Sequence, residues 1–458
     1  MHGVRLYLIN PSNPLVSMVK LKKNRWKRYR IWKPLNLLVL AGLTPPEWKI
    51  TVIDENLGIP DYSAMPQPDL VGITAFTSQA NRAYEVAAYF RYLGVPVVMG
   101  GIHATFCLDE VLKHVDSVVT GEAEGIWPRV LEDAKNKSLK RRYDGGLAKI
   151  DDIPFARHDL LASGYALGVI QTARGCPLNC SFCSVTAFNG FRYRPRSIAD
   201  VVREFQLIRE KRVLVVDDNL VGTRSEHIAR AKDLFRAMAH ANLGKEWICQ
   251  ATINFADDEE LLALAAKAGC SGVFIGFESA KPEGLRELGK KFYLLKERDF
   301  RASVKRIQRH NMLVVGSFII GLDIDKPGIG KHVAEVAHQY GVDYLNMLFL
   351  TPLPGTKLWK KMESEKRIML ETFPGDWKYY TLTFPVARYK HLSLDWIIQE
   401  MNSCNRNFYS MPRILKRTFS NLWGQRHPLI SLIVNFSYWN NLRQNHKILM
   451  DFKAATGQ

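Results

Sequence analysis

The chain has 458 residues, 47% of them hydrophobic, enough for two or three domains with cores of their own. Its seven cysteines are too few and too unevenly spaced for a disulfide framework, and no apolar run reaches the roughly 20 residues of a membrane-spanning helix. Lys and Arg number 63 against 45 Asp and Glu, a net charge of +18 that points towards an anionic partner or surface.

Met1-His-Gly-Val leads directly into the strand-like Arg5-Leu-Tyr-Leu-Ile-Asn10, so no signal peptide is read and a reducing, cytoplasmic setting is expected. Residues 1–140 alternate strand and helix, with strands expected at 4–9, 49–53, 69–75, 95–99 and 117–120 and helices at 79–93 and 108–114. That alternation predicts a parallel sheet covered on both faces, with ligands at the strands' carboxyl ends. Those ends carry Gly72-Ile-Thr-Ala-Phe-Thr-Ser78, Gly100-Gly-Ile-His-Ala-Thr105 and Gly121-Glu-Ala-Glu-Gly125. A planar or phosphate-bearing cofactor is expected there, approached closely by backbone at the glycines. Between the first two strands, residues 20–32 hold seven basic side chains, no acidic one, and Trp26, Tyr29 and Trp32.

The polar stretch 135–153 reads as a linker. From residue 166 a second β/α series begins, with strands at 166–170, 212–216, 247–253, 272–277, 313–320 and 344–350 and helices between them, including 198–210, 227–240, 259–268, 297–310 and 330–340. Six such units make a partial or full parallel barrel whose active site belongs at the strands' carboxyl ends. After about residue 370 the pattern turns to helices rich in aromatics and Arg, and residues 413–447 again mix basic side chains with Phe419, Trp423, Phe436, Tyr438 and Trp439. Both mixtures suit an anionic membrane surface, a nucleic-acid backbone or an anionic substrate, and equally a solvated basic face with aromatics packed beneath.

The chemistry concentrates after the first strand of the second series, in Arg174-Gly-Cys-Pro-Leu-Asn-Cys-Ser-Phe-Cys183. Three thiolates at C-x3-C-x2-C spacing, with no fourth cysteine nearby, can close around a small cluster and leave one iron open. A zinc ion or a purely structural cluster is the alternative. Cys107, Cys249, Cys270 and Cys404 are isolated and read as small buried hydrophobes.

The spacing Cys176-x3-Cys180-x2-Cys183, with Phe182 before the last cysteine, resembles the signature of the radical S-adenosylmethionine (SAM) enzymes. The glycine motifs of the preceding domain resemble the cobalamin-binding subgroup, and the likeness covers about 360 residues. It implies α/β architecture: a Rossmann-like cobalamin domain (1–140), a linker (141–165), a (β/α)6 partial TIM-type barrel (166–370) and a helical C-terminal region (371–458). Cys176, Cys180 and Cys183 would hold a [4Fe-4S] cluster whose open iron chelates SAM. Glu278 and Ser279, in Gly276-Phe-Glu-Ser279, would meet the SAM ribose or ammonium group. Asp217 and Asp218 would orient its amino group or cap the next helix. Arg174 could screen the cluster's charge, and Arg192 and Arg194 could bind a carboxylate or phosphate.

For cobalamin, the Asp-x-His-x-x-Gly motif that supplies a cobalt ligand is missing, and the loop after the first strand is Asn10-Pro-Ser-Asn-Pro14. The cofactor is then expected base-off, with the lower cobalt ligand open. Thr74, Thr77, Ser78, Gln79, Gly100, Gly101, His103, Gly121 and Glu122 are the expected contacts, with His103 a structural turn residue in the alternative. Thr351-Pro-Leu-Pro-Gly-Thr356 would form a rigid rim.

The resemblance implies a methyltransferase acting on an unactivated carbon or phosphorus through a 5′-deoxyadenosyl radical and methylcobalamin. Alternatives are an oxidative cyclase or rearrangement enzyme of the same family, a tRNA-modifying radical enzyme, and a non-catalytic cobalamin and iron–sulfur sensor. Only Cys107 precedes residue 170, which argues against the methylthiotransferase type of tRNA enzyme and against nucleic acid as partner. The expected partners are a small-molecule substrate, a lipid or tetrapyrrole among them, an external electron donor such as flavodoxin or ferredoxin, and a membrane touched peripherally.

Overall fold

A computed structural model describes residues 3–13, 15, 33–294, 298–423 and 428–457. The basic aromatic segment at 20–32 lies outside them. The first sheet contains β1 (Val4–Asn10), β2 (Trp48–Asp54), β3 (Leu70–Thr74), β4 (Val97–Gly100), β5 (Ser117–Thr120) and β6 (Arg142–Asp144). Their spatial order is β2-β1-β3-β4-β5-β6, and every neighbouring pair is parallel. The chain lays β2 on one side of β1 and β3 on the other, so the strand order reverses there and opens a crevice at the carboxyl ends.

Both faces are covered, which is why β1 is apolar almost throughout. Leu6 and Leu8 pack with Leu37, Leu38 and Trp127 on one face, while Tyr7 and Ile9 join Phe90 on the other. β6 corrects the linker reading of 135–153. Its three residues bury Tyr143 between exposed Arg142 and Asp144, too short a span for a periodic signal, yet they pair with β5.

The second sheet begins with β7 (Gly168–Ile170). A two-stranded antiparallel ribbon follows, β8 (Ala173–Arg174) with β9 (Arg194–Pro195). Then come β10 (Arg212–Val215), β11 (Glu246–Ala251), β12 (Cys270–Glu278), β13 (Leu313–Ile320) and β14 (Tyr344–Phe349). The order β14-β13-β12-β11-β10-β7 is parallel throughout and unclosed, a partial barrel. The helix expected at 297–310 spans Phe300–Arg309, stopped at its start by Asp299, whose side chain accepts from the Ala302 N–H.

The last region seals the open edge. The Tyr409 hydroxyl donates to the carbonyl of Leu345 and accepts from its N–H, so one side chain occupies both polar groups of a β14 residue. A segment around Gly375–Tyr379 straps the two α/β units together. Its Trp377 stacks on Phe373 at 3.6 Å and donates to Glu110 of the first unit at 2.9 Å. Asn13 and Asn81 of that unit donate to the carbonyls of Lys378 and Gly375. On the barrel side Trp377 meets Trp359, in the helix Lys357–Ser364, at 5.8 Å.

Candidate active site

The cysteine loop leaves β7 and is gripped from both sides. Thr172 donates from both its N–H and its hydroxyl to Asp217, each at 2.5 Å. Asp217 is wholly buried, and burial pushes its carboxyl up. Gly175, at φ +82°, follows; a Cβ there would sit 2.1 Å from the Arg192 carbonyl, so only glycine fits. Its N–H donates to Asp218 at 3.0 Å, and Asn189 donates to the same oxygen at 3.2 Å. Burial raises the Asp218 carboxyl to about 6. The two aspartates thus position the loop. This corrects the reading of Asp217 as a cosubstrate contact, because both its oxygens are already engaged, and neither aspartate caps the helix Ser225–His240, whose N-cap is Arg224.

On the far side Ser181 donates its N–H to Leu288 and accepts from the Leu358 N–H, both at 2.9 Å. Lys357 reaches Asn179 at 2.8 Å. Cys180 is buried and Cys176 and Cys183 are partly buried. Burial pushes the Cys176 thiol up to about 11 and that of Cys180 to about 12. Asn219 lies 4.0 Å from the Cys176 sulfur. Among the described residues no three His, Cys, Asp or Glu side chains converge on a single point suited to one metal ion. A closed zinc site takes four ligands, whereas a cluster takes one thiolate per iron.

Glu278 ends β12 in the left-handed region, φ +66°, where the ladder with β13 slips by a residue. The turn aims its carboxylate at buried Lys290, 2.8 Å away. A Cβ on Gly276 would fall 2.1 Å from that carboxylate, so the glycine makes room for the pair. Burial opposes the Lys290 charge, but Glu278 and the nearby Tyr293 and Cys180 hold its ammonium above the usual range. Sequence reading missed Lys290, the first of two lysines after Leu288-Gly. Buried Ser279 accepts from the Lys281 N–H at 3.1 Å and faces Gly284.

A cavity of about 240 Å³ runs from the first sheet's switch point to residues flanking the cysteine loop, Arg174 before it and Phe188 and Asn189 after it. Its inner end is apolar, with Leu8, Leu37, Gly72, Val119 and Trp127. Its mouth carries Thr74, Gly100, Gly101, Gly121 and Glu122 from the first unit and Gln171, Arg174, Phe188 and Asn189 from the second. Gly101 has φ +94° and a Cβ there would meet Thr74 at 2.9 Å; Gly121 has φ +71° and abuts the Gly146 carbonyl. Backbone therefore lines the mouth, a cradle for a large flat ligand with an apolar slot behind it for a tail.

Four expected contacts, Thr77, Ser78, Gln79 and His103, do not line this cavity. Thr77 and Gln79 are buried in a turn, Thr77–Gln79, with Ser78 between them; Gln79 donates to Asn10 and to the Pro11 carbonyl, which locks the β1 loop. His103 is fully buried, 2.8 Å from the Tyr84 hydroxyl and 3.5 Å from Glu110, with Trp377 edge-on. Its ring is enclosed by protein, the structural reading. Asn36, which donates to Thr74 at 2.7 Å, joins the lining unforeseen.

Arg174 and Arg194 both bind carboxylates of the first unit. Arg194 binds both oxygens of Glu122, and Arg174 contacts Glu122 at 3.2 Å and hydrogen-bonds Glu124. Glu122 accepts further from the Ala148 N–H at 2.8 Å. Although burial works against its ionisation, Arg194 and Arg174 hold the Glu122 carboxyl below the usual range. This network joins the ribbon flanking the cysteines to the loop after β5.

The sequence matches the Radical SAM superfamily over residues 170–334 and the B12 binding domain over residues 25–131. It is 29% identical over 416 residues to an uncharacterised methyltransferase of Pyrococcus horikoshii, covering 83% of this chain and 89% of that one. It is 29% identical over 400 residues to the bacteriochlorophyllide d C-12(1)-methyltransferase of Chlorobaculum tepidum, covering 84% of each. The cobalamin-dependent S-adenosylmethionine radical enzyme OxsB, solved with aqua-cobalamin and S-adenosylmethionine, shares the fold at a TM-score of 0.69 and 15% identity, over 99% of this chain and 75% of that one. The chain thus joins a B12 binding domain to a radical SAM domain, in that order.

Proposed function

We propose that the chain is a methyltransferase acting on an unactivated carbon or phosphorus centre. The observation that carries the reading is the continuity of the cavity, which joins the glycine-lined mouth of the first sheet to Gln171, Arg174 and Asn189 beside the cysteines. A first-unit cavity that borders the ribbon flanking the cysteines suits a reaction in which one cofactor activates a substrate carbon and the other delivers a group to it. The methyltransferase relatives add support.

The donor set fits the cofactors that the family implies. Cys176, Cys180 and Cys183 would hold the [4Fe-4S] cluster, beside the Glu278–Lys290 pair. Gly100, Gly101, Gly121 and Thr74 would take the corrin, and the slot at Gly72 and Trp127 its nucleotide tail. When bound, these groups supply a 5′-deoxyadenosyl radical and a transferable methyl group. The protein orients and encloses. Asp217 and Asp218 fix the cysteine loop, the Arg174–Glu122–Arg194 network fixes the two units relative to each other, and the apolar wall excludes water.

The substrate class that fits best is a tetrapyrrole or polycyclic isoprenoid. Electrons would come from an external donor such as flavodoxin or ferredoxin. Peripheral membrane contact belongs to the same reading, since such substrates partition into lipid; among the described residues no helix is long and apolar enough to cross a bilayer.

The test is anaerobic turnover of reconstituted protein with methyl-labelled SAM and either substrate class. Labelled product together with S-adenosylhomocysteine and 5′-deoxyadenosine is expected. A ring-closed, unlabelled product with 5′-deoxyadenosine alone would replace methyl transfer by oxidative cyclisation. No 5′-deoxyadenosine with any reductant would favour the sensor.

A further inference from the structure

The two C-terminal helices, Met411–Trp423 and Pro428–Thr456, bury Ile414, Leu449 and Phe452 in the core but have their polarity reversed where they meet near the turn. Where they pack together the side chains are polar. Asn421 donates to Ser431 at 2.7 Å, and Arg417 donates to Asn435 at 2.8 Å. Asn435 also donates to the Ser431 carbonyl, and Arg417 to that of Phe408. All four of Arg417, Asn421, Ser431 and Asn435 are buried. Pairing 421 with 431 and 417 with 435 makes the helices antiparallel near the turn.

The outward faces are apolar. Leu415, Phe419 and Leu422 recur at spacings of four and three on the first helix, one side of the cylinder, and are exposed, Phe419 by 68%. Leu429 and Ile433 do the same on the second, Leu429 by 73%, opposite buried Ser431 and Asn435. Water selects the reverse arrangement, apolar inside and polar outside. Polar side chains bonded to one another between helices, with large apolar ones outward, suit a hydrocarbon surrounding.

The charge says which one. Residues 411–457 contain seven Lys and Arg and a single acidic residue, Asp451. Lys416 is exposed beside the Leu415–Phe419 row, and Arg443 and Lys447 are exposed further along the second helix. A second copy of this chain would bring the same positive face against itself, whereas anionic headgroups complement it. Neither helix is long and apolar enough to span, so shallow insertion is the remaining mode. We infer that this hairpin docks the enzyme on an anionic bilayer surface, burying Leu415, Phe419, Leu422, Leu429 and Ile433 among the acyl chains. The inference rests on the membrane contact proposed above and names its site; it does not depend on methyl transfer, since its readout is binding.

Full-length holoenzyme, handled anaerobically, is sedimented with vesicles of phosphatidylcholine alone and of phosphatidylcholine mixed with phosphatidylglycerol. Pelleting with the mixed vesicles and far less with the neutral ones is expected. The double substitution Phe419→Glu with Leu422→Glu should lower the partition into mixed vesicles by roughly tenfold or more, with thermal midpoint and cobalamin spectrum unchanged. Tyr92→Glu, at an 89% exposed position of the first unit, should pellet like the unsubstituted protein. Absence of pelleting with either vesicle, or undiminished pelleting of the double variant, overturns the inference. So does a concentration-dependent dimer that the double variant dissolves, which would give the face to a second copy.

Discussion

The two α/β units use the same sheet, six parallel strands with helices alongside, and finish their strands in opposite ways. In the first, the carboxyl ends terminate in glycine: Gly100-Gly101 after β4 and Gly121 after β5, two of them in left-handed backbone. In the second they terminate in charge: Asp217-Asp218 after β10 and Glu278 at the end of β12, the latter paired with Lys290. The first unit thus spends its strand ends on space and the second on fixing a loop. Space serves a large preformed ligand, and fixed charge serves a small reactive loop whose geometry must not drift. Glu122 stands where the two strategies meet, on a glycine-rich loop yet bound by the arginines of the other unit.

The comparison breaks most completely at the cysteines. Ser in place of Cys176, Cys180 or Cys183 should abolish 5′-deoxyadenosine formation and lower bound iron and sulfide while leaving cobalamin uptake intact; iron undiminished from that of the unsubstituted protein would refute the assignment. Next in size is Glu122→Ala, which takes from half-buried Arg194 its carboxylate partner and leaves buried Arg174 with Glu124 alone; it should cost about 1–3 kcal/mol of stability, read by chemical denaturation. Gly101→Val is the mirror of the cysteine variants. Its side chain meets Thr74 in left-handed backbone, a penalty of about 1–3 kcal/mol, and cobalamin should be lost from a protein that keeps its cluster.

A pH series sharpens the role of Glu122. Its folded carboxyl lies below the usual range because Arg194 and Arg174 outweigh burial. The stability it lends is complete above the unfolded value of about 4.3 and is lost as pH falls through the depressed folded value. The gap in thermal midpoint between the natural protein and Glu122→Gln should therefore narrow on acidification and stay constant near neutrality. The smallest effect belongs to His103→Gln, which disturbs the hydrogen bond with Tyr84 for about 1 kcal/mol. The visible spectrum of bound cobalamin should not move; a shifted spectrum would make His103 a cobalamin contact.

Sequence alone made the cysteine triad, both parallel sheets and the glycine ends legible, because each is written in consecutive residues. The fate of long polar side chains was not legible. Arg174 sits two positions before Cys176, yet its partners, Glu122 and Glu124, lie some 50 residues earlier and meet it only once both sheets are folded. Gln79 has the right strand-end position for a ligand contact but points backwards to Pro11. Lys290 carries no motif, and its meaning comes from the left-handed turn at Glu278. β6 was hidden by brevity, and the inside-out hairpin by the fact that periodicity reveals an apolar face without saying which way it looks.

The strap around Trp377 bears on how such a protein can be recombined. Because it is encoded after the barrel but grips Glu110, Asn13 and Asn81 of the first unit, neither α/β unit is a self-contained cassette. A chimera that exchanges residues 1–140 for those of a relative must also import the strap, or carry those three contacts across the graft. Segments that look separable in the order of the chain are, in this respect, inherited together.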